Sequence, residues 1–399
     1  MSQNKETIEK EKKKELLSLS FASFFNDLGS DMIYPIWPLF LTSVLNANMF
    51  VLGIIDGLGD AIVALSKAFS GYLSDKTGKR KFFIWLGYLM AFFSRIGYAI
   101  SKTWFAIIPF KILDRFGKIR GSPRDAIVSE ISKEKGKNFG IIRTMDNLGA
   151  FFGVILCLIL INFFDIKTIF YIAALPSLIS VFLILFFIKE GNRGEVKKIS
   201  LNFINKNISK NFRLFLISSI FLSLGTFSYS FLLIFLKESG ISEKLLPLFY
   251  LIFTLSSAIF SYPSGKLFDK FKKKIIYFGI FFYMIMLLVF LQISYLNIKF
   301  NIYFLFVILF ILYGLSKAIL DTTLSTMAAI LSPNELKATG IGFFQLLTGL
   351  SALPSSTIAG FLWLKFGSTY SFYFALIAMI IGLIILNFVK EKQKTQLKK

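Results

Sequence analysis

Apolar stretches of about 20 residues recur twelve times along this chain. A helix of about 20 residues is long enough to cross the roughly 30 Å hydrocarbon layer of a bilayer. Of the 399 residues, 55% are hydrophobic and only 17% are charged, which is more apolar surface than one soluble core absorbs. The sequence therefore predicts an all-α integral membrane protein. The predicted spans, numbered 1 to 12, lie near 17–44, 49–72, 82–100, 103–129, 138–161, 167–188, 212–236, 245–264, 275–296, 301–330, 338–362 and 369–389.

The formal net charge of +22 would suggest a nucleic-acid partner in a soluble protein, so its distribution matters. With the first tail placed in the cytoplasm, 30 Lys and Arg residues fall in segments on that side, against six in the opposite loops. Cytoplasmic loops of membrane proteins carry this excess of basic residues. We therefore expect a multi-pass protein of the plasma (inner) membrane with both termini in the cytoplasm. The lipid bilayer is the expected partner, and nucleic acid is not.

Missing residue types exclude several functions. The chain has no His and a single Cys, so His-ligated haem, His/Cys zinc sites, Ser-His-Asp triads and disulfides cannot be built. It has no phosphate-binding Gly-x-x-x-x-Gly-Lys-Ser/Thr loop, so ATP hydrolysis is unsupported. We expect no metal, no cofactor and no enzymatic activity. Any coupling energy must come from ions, and without imidazole a proton carrier would be a carboxylate.

A short run between two apolar spans is duplicated. Gly71, Leu73, Asp75 and Lys76 recur 194 positions later as Gly265, Leu267, Asp269 and Lys270, and basic residues follow both copies. The duplication predicts two six-helix units. The predicted boundaries are a tail over 1–15, an N-terminal bundle over 16–190, a linker over 191–211, a C-terminal bundle over 212–389 and a tail over 390–399.

The run from Gly71 to Phe83, with Asp75, Gly78 and Arg80, resembles the loop signature between helices 2 and 3 of the major facilitator superfamily. The resemblance implies two pseudo-symmetric bundles, a substrate site between them and alternating access. It also implies that the two loops act as a conformational latch, although their basic residues serve equally as topology determinants. The predicted gating residues are Gly71, Asp75, Lys76, Gly78, Lys79, Arg80, Gly265, Asp269 and Lys270.

The segment from Phe25 to Pro35, together with 123–126 and 143–149, resembles a prokaryotic branch of efflux-type permeases. This resemblance implies proton-coupled export of a small organic solute by antiport, and we expect a monomer. Val154 stands where the antiporter motif of span 5 has a Pro, so proton-coupled uptake of a metabolite stays open. A transporter-like receptor or a membrane enzyme is a second alternative, because a fold alone does not fix function.

Charged side chains inside the predicted spans are concentrated in the first half of the chain. Such charges are costly in a bilayer, so they pair with one another or line a functional path. Arg115 is the best single candidate, because its guanidinium could tune a nearby carboxylate, bind an anion, or pair with Asp27 or Asp31. The predicted proton-coupling network is Asp27, Asp31, Asp114, Arg115, Lys118, Arg124, Asp125, Arg143 and Asp146.

A substrate cavity is predicted from polar and aromatic residues on spans 1, 4, 7 and 10. Lys111 and Lys118 flank Arg115 at four and three residues, a spacing that puts all three on a common face of a helix. Lys317 and Asp321 are four apart, so they could instead neutralise each other within span 10. The predicted cavity residues are Tyr34, Lys111, Arg115, Tyr229, Lys317 and Asp321.

Overall fold

The computed structural model describes residues 2–131, 135–190, 209–296, 302–332 and 337–390, and these residues are helical with no strand. The all-α prediction is confirmed. The helices are α1 (Ser2–Ile33), α2 (Trp37–Leu39), α3 (Met49–Thr77), α4 (Arg80–Ile100), α5 (Trp104–Phe116), α6 (Gly121–Ile131), α7 (Lys135–Leu160), α8 (Ile166–Phe187), α9 (Lys210–Gly225), α10 (Tyr229–Glu238), α11 (Leu246–Phe271), α12 (Lys273–Leu296), α13 (Ile302–Leu331), α14 (Lys337–Phe366) and α15 (Ser368–Asn387).

Ten helical segments in the described part of the chain are long and apolar enough to cross a membrane. The two other predicted spans are also helical. Span 1 corresponds to α1, which carries a lysine-rich start as well as Asp27 and Asp31. Span 4 is divided between α5, of 13 residues, and α6, of 11 residues, and each alone is too short to cross. The helices are therefore consistent with the predicted count of twelve spans.

Three spans expected to be continuous are interrupted. Span 1, whose first part is α1, is interrupted at 34–36, before α2. Span 4 passes through a 3₁₀ turn at Gly117–Arg120, where a Cβ built on Gly87 would lie 2.4 Å from the Gly117 carbonyl oxygen. Backbones of α4 and span 4 are thus in direct contact, which requires glycine at this crossing. Span 7 is interrupted between Gly225 and Tyr229, where α9 ends and α10 begins. Each interruption leaves backbone groups without helical partners and points nearby side chains in new directions.

Helix packing repeats between the two halves of the sequence. In the first half, α1 packs against α7 and α8, while α4 packs against α5 and α8. In the second half, α9 packs against α14 and α15, while α12 packs against α13 and α15. In span numbers, the pairs 1–5, 1–6, 3–4 and 3–6 of the first half correspond to the pairs 7–11, 7–12, 9–10 and 9–12 of the second half. The duplication therefore extends from the loop signature to the arrangement of the helices.

The turn in each signature loop has the same backbone conformation. Gly78 follows the end of α3 with φ 69°, and Lys272 follows the end of α11 with φ 51°. The two positions are equivalent under the 194-residue offset of the repeat. Left-handed φ at a helix C-terminus is normally supplied by glycine, so Lys272 adopts the conformation at a steric cost.

Close packing divides the chain into two units. Each unit includes one short segment from the other half of the sequence. The first unit contains 1–48, 58–197 and 236–251, and the second contains 49–57, 198–235 and 252–399. Most of the predicted linker, over 191–208, lies outside the described residues.

An ion pair in the first unit joins the start of α1 to the end of α8. The Lys189 ammonium donates to Glu11 Oε1 over 2.9 Å. This hydrogen bond lowers the pKa of the Glu11 carboxyl, which lies before predicted span 1. Both side chains are exposed, so the pair contributes little to stability.

Candidate functional site

A small recess lies in the first unit between α1, α2, α4 and α5. It brings together three predicted cavity residues, Tyr34, Lys111 and Arg115. The Lys111 Nζ is 3.7 Å from the ring centroid of Trp37, which is a cation–π geometry. The residues lining the recess are Ser30, Ile33, Tyr34, Trp37, Arg95, Tyr98, Lys111, Asp114 and Arg115.

Arg115 is held by its nearest neighbours. Its Nε lies 3.4 Å from Oδ2 of Asp114, and its Nη1 donates to the Tyr34 hydroxyl over 3.5 Å. Among the residues that the structure describes, Arg115 does not form the ion pair with Asp27 or Asp31 that the sequence left open. Asp114 therefore supplies the local counter-charge in the recess.

Lys118 does not line the recess with Lys111 and Arg115. The helix tightens to a 3₁₀ turn from Gly117, immediately before Lys118. The common face of the three cations stays a prediction.

Arg95 on α4 is a wall of the recess that sequence reasoning did not select. Its side chain is 1% exposed, and it donates to the carbonyl oxygens of Ala173 and Asn26 over 2.8 and 3.0 Å and to Ser30 Oγ over 2.8 Å. A Cβ built on Gly29 would lie 2.1 Å from Arg95 Nη1, so glycine at that position makes room for the guanidinium. The available signal was an arginine in the middle of apolar span 3.

A second charged cluster joins α6 to α7. Arg124 Nη1 lies 3.2 Å from Oδ1 of Asp146, and Arg124 Nε lies 3.0 Å from Oδ1 of Asp125. Arg143 is 3.6 Å from Asp146 and 4.0 Å from Asp125. Arg124 also contacts the Ser23 hydroxyl on α1. Four predicted network residues are thus in mutual contact.

The two carboxylates of α1 have neutral partners. Asp27 accepts from the Asn26 amide over 2.9 Å, and Asp31 accepts from the Tyr250 hydroxyl over 3.3 Å. Asp31 is 8% exposed. Within the described part of the chain, neither carboxylate has a Lys or Arg nitrogen within 4 Å. Tyr250, at the start of α11, was not singled out in the sequence.

The signature loops place their basic residues at the surface. Lys76, Lys79, Asp269 and Lys270 are exposed and Arg80 is half-buried, while the Asp75 side chain lies outside the described side chains, so its latch role stays a prediction. Gly71 and Gly265 occupy equivalent places: a Cβ on either would lie 3.4 Å from the side chain of Ser122 or Thr322, respectively. Ordinary van der Waals contact of this kind does not itself require glycine.

Lysines beside the signature loops cap the last helix of each half. Lys81 Nζ donates to the Leu185 carbonyl over 2.8 Å, near the end of α8. Lys273 Nζ donates to the Asn387 and Val389 carbonyls over 3.1 and 2.9 Å, at the end of α15. A cation at a helix C-terminus satisfies free carbonyls and complements the helix dipole. These lysines therefore have a structural role in the two halves.

Lys317 and Asp321 form an ion pair with each other in the second unit, over 3.2 Å within α13. Their side chains are 36% and 61% exposed. Tyr229, the third predicted cavity residue of this half, is half-buried at the start of α10. Its neighbours Phe227 and Phe231 pack against each other with ring centroids 5.3 Å apart, inside a buried aromatic core.

Asp56 is a further polar centre. It lies in the part of α3 that belongs to the second unit, and it is 8% exposed. Its Oδ2 accepts from the hydroxyls of Ser228 and Ser230 over 2.7 and 2.5 Å. Ser228 lies in the break between α9 and α10, so the interrupted helix places both hydroxyls on one carboxylate oxygen.

Comparison with known proteins agrees with this architecture. The family model of the Major Facilitator Superfamily matches residues 19–297 and 214–399. An uncharacterised MFS-type transporter of Methanocaldococcus jannaschii is 35% identical over 390 residues, which cover 95% of this chain and 96% of the relative. An uncharacterised transporter of Buchnera aphidicola is 26% identical over 203 residues, covering 50% of this chain and 48% of the relative.

Solved structures share the fold at low sequence identity. The nucleoside transporter NupG has a TM-score of 0.78 and 16% identity, covering 94% of this chain and 98% of that one. A POT family transporter in complex with a thioalcohol-conjugated peptide has a TM-score of 0.75 and 15% identity, covering 94% and 95%. The helix repeat, the loop signature and these matches together show that the chain is a multi-pass membrane transporter belonging to the Major Facilitator Superfamily.

Proposed function

We propose that the chain is a secondary active transporter that exports a small organic solute in exchange for protons. It works by alternating access, as a monomer in the plasma (inner) membrane, with both termini in the cytoplasm. It moves the solute without converting it chemically. The charge network of the first unit couples transport to protons, and the recess beside Arg115 receives part of the solute.

Proton coupling is supported above all by the environment of Asp31. This carboxylate is buried near the end of α1 and accepts a hydrogen bond from the Tyr250 hydroxyl. A charge inside a membrane protein is costly unless it is paired, and binding a proton removes the charge. The charged and titratable groups that act on Asp31 are Asp27, Arg95, Lys118 and Tyr250. Asp31 is therefore suited to bind and release a proton during a transport cycle.

The pair of Arg124 and Asp146 supports a route from protonation to helix movement. It joins α6 to α7, and both side chains are nearly buried. If Asp146 takes up a proton, the charge that attracts Arg124 disappears and the two helices lose part of their connection. Asp27 is close enough to act electrostatically on Asp146, so α1 belongs to the same network.

One likeness supports export, and another supports a small organic solute. The segment from Phe25 to Pro35 resembles efflux-type permeases. The solved structures with the same fold include a nucleoside transporter and a POT family transporter in complex with 5-aminolevulinic acid, both connected with small organic molecules. Uptake by symport is the alternative, and it differs only in the direction of the solute relative to the proton.

Proteoliposomes containing the purified chain and a pH-sensitive dye test the proposal. A panel of nucleosides, amino acids and organic acids is offered under an imposed pH gradient. At least one solute should accumulate against its gradient while protons move the opposite way. Accumulation that is insensitive to a protonophore would contradict proton coupling, and solute and proton moving in the same direction would identify a symporter.

Two carboxylate variants locate the coupling site. Asp31→Asn should abolish uphill accumulation while downhill exchange of labelled solute continues. Glu11→Gln is the matched control, because Glu11 is exposed and lies outside the predicted spans, and it should leave both activities unchanged. Full gradient-driven accumulation in Asp31→Asn would rule out Asp31 as the proton carrier.

A further inference from the structure

The recess in the first unit carries more positive than negative charge. Three of its lining residues, Arg95, Lys111 and Arg115, are cationic, and Asp114 is the acidic residue among them. Lys111 and Asp114 are buried, and Arg115 is half-buried. A concentration of guanidinium and ammonium groups in a sheltered pocket creates a positive potential that favours anions.

Arg95 forms no ion pair with a carboxylate of the described residues. Its guanidinium donates to two backbone carbonyls, Ser30 Oγ and the Asn26 side-chain oxygen, all of which are neutral. An arginine side chain stays protonated in proteins. The wall formed by Arg95 therefore contributes a permanent positive charge that these described partners do not neutralise.

A hydrogen-bond donor in the same recess has no partner. The Tyr98 side chain is 3% exposed, and its hydroxyl makes no hydrogen bond with the described residues. The Arg115 Nε is also buried without a hydrogen bond among those residues, although it lies 3.4 Å from Asp114. Buried tyrosine hydroxyls and guanidinium groups normally donate to an acceptor. These two donors therefore indicate that the recess can receive a hydrogen-bond acceptor from a ligand.

We propose that this recess binds an oxyanion, the carboxylate or phosphate group of a small organic solute. The oxyanion accepts from the Tyr98 hydroxyl and lies in the field of Arg95, Lys111 and Arg115. The rings of Trp37 and Tyr98, with centroids 4.9 Å apart, form an aromatic wall of the recess. That the anion is cargo rests on the proposed transport function, whereas the binding itself does not.

Isothermal titration calorimetry on the full chain in lipid nanodiscs tests the binding. The probes are sodium benzoate, inorganic phosphate and, as the uncharged analogue, benzyl alcohol. Benzoate, phosphate or both should bind saturably, and benzyl alcohol should bind at least tenfold more weakly than the better anion. Saturation by benzoate alone identifies a carboxylate site, and saturation by phosphate alone identifies a phosphoryl site. Equal binding of benzyl alcohol, or no saturable binding of either anion, overturns the proposal.

Two tyrosine variants on α4 assign the binding to the recess. Tyr98→Phe removes the unpartnered hydroxyl and should weaken binding of the anion roughly tenfold, as expected for a lost hydrogen bond to a charged group. Tyr88→Phe is the matched control, because the Tyr88 hydroxyl is equally buried and unpartnered among the described residues but does not line the recess. Unchanged binding in Tyr98→Phe, or an equal loss in Tyr88→Phe, overturns the assignment.

The outcome is separable from that of the proposed function. Saturable benzoate binding without proton-driven transport would retain the anion site and reject the coupled transporter. Proton-driven accumulation of an uncharged solute by a chain that binds neither anion would retain the transporter and reject the site.

Discussion

The hydroxyl of Ser230 donates to the carboxylate of Asp56 over 2.5 Å, although the two residues are 174 positions apart in the sequence. The contact joins the first turns of α3 to the start of α10 inside the second unit. Asp56 lies in α3 at the end opposite to the signature loop at Gly78. The contact holds the start of α10 to α3, so we expect Asp56 to stabilise the break between α9 and α10.

Replacing Asp56 tests how strongly the carboxylate holds the break between α9 and α10. Asp56→Ala removes the acceptor of two charge-assisted hydrogen bonds, each of which stabilises by about 1.5–3 kcal/mol. Hydrogen exchange of the amides over 226–231 should accelerate at least tenfold. Asp321→Ala, which removes an exposed carboxylate of α13, is the control and should leave these amides unchanged. Equal protection in Asp56→Ala and the parent chain would show that the contact does not stabilise the break.

The left-handed turns of the two signature loops predict opposite effects of opposite substitutions. Gly78→Ala places a side chain at φ 69° and should lower the melting temperature, whereas Lys272→Gly relieves φ 51° and should raise it. In each variant, the free energy of unfolding should change by about 1 kcal/mol. Thermal unfolding in detergent, followed by intrinsic fluorescence, measures both.

Gly342→Ala is the control for this pair, because a Cβ there meets nothing within 4 Å and the residue lies inside α14. It should leave the melting temperature unchanged or raise it slightly. If Lys272→Gly lowers the melting temperature, the lysine side chain stabilises the loop by more than the backbone strain costs.

Two glycines of span 5 have a packing role that can be tested separately from transport. A Cβ on Gly149 or Gly153 would lie 2.3 Å from the carbonyl oxygen of Phe24 or Leu28, respectively. Gly153→Ala should therefore push α7 away from α1 and lower the melting temperature by several degrees. Gly140→Ala, on the same helix but in open space, should not. A Gly153→Ala chain with parental stability would mean that α1 and α7 readily separate.

The sequence predicted the features that depend on local composition and spacing. The spans follow from apolar length, the repeat of Gly71 and Gly265 follows from direct comparison, and the pair of Lys317 and Asp321 follows from a four-residue spacing on one helix. Each of these depends on residues near one another in the chain, where helix geometry alone sets the distance.

Contacts across the fold could not be predicted in the same way. Tyr250 reaches Asp31 across 219 positions, and nothing in either local sequence identifies the other as its partner. The 3₁₀ turn that interrupts span 4 forms where Gly117 meets Gly87 of another helix. Helix packing decides both features, and a single sequence does not specify which helices pack together.

The ion pair of Arg124 and Asp146 should contribute far more to stability than that of Lys317 and Asp321. The side chains of the first pair are 11% and 13% exposed, whereas those of the second are 36% and 61% exposed. Water screens the attraction between Lys317 and Asp321. The attraction between Arg124 and Asp146 is screened less, and each of these two charges offsets the cost of burying the other. Double-mutant cycles with Arg124→Gln and Asp146→Asn should therefore give a coupling free energy of about 1–3 kcal/mol.

The same cycle with Lys317→Gln and Asp321→Asn should give less than about 0.5 kcal/mol, the usual contribution of an exposed pair four residues apart on a helix. Urea unfolding in mild detergent, followed by tryptophan fluorescence, supplies the free energies of unfolding. The single variant Asp146→Asn should lose most of the stability that the double variant loses, because it leaves Arg124 buried with Asp125 as its carboxylate partner. Equal coupling in the two cycles would mean that the α6 and α7 cluster is hydrated, and that protonation of Asp146 has little influence on how these helices are held together.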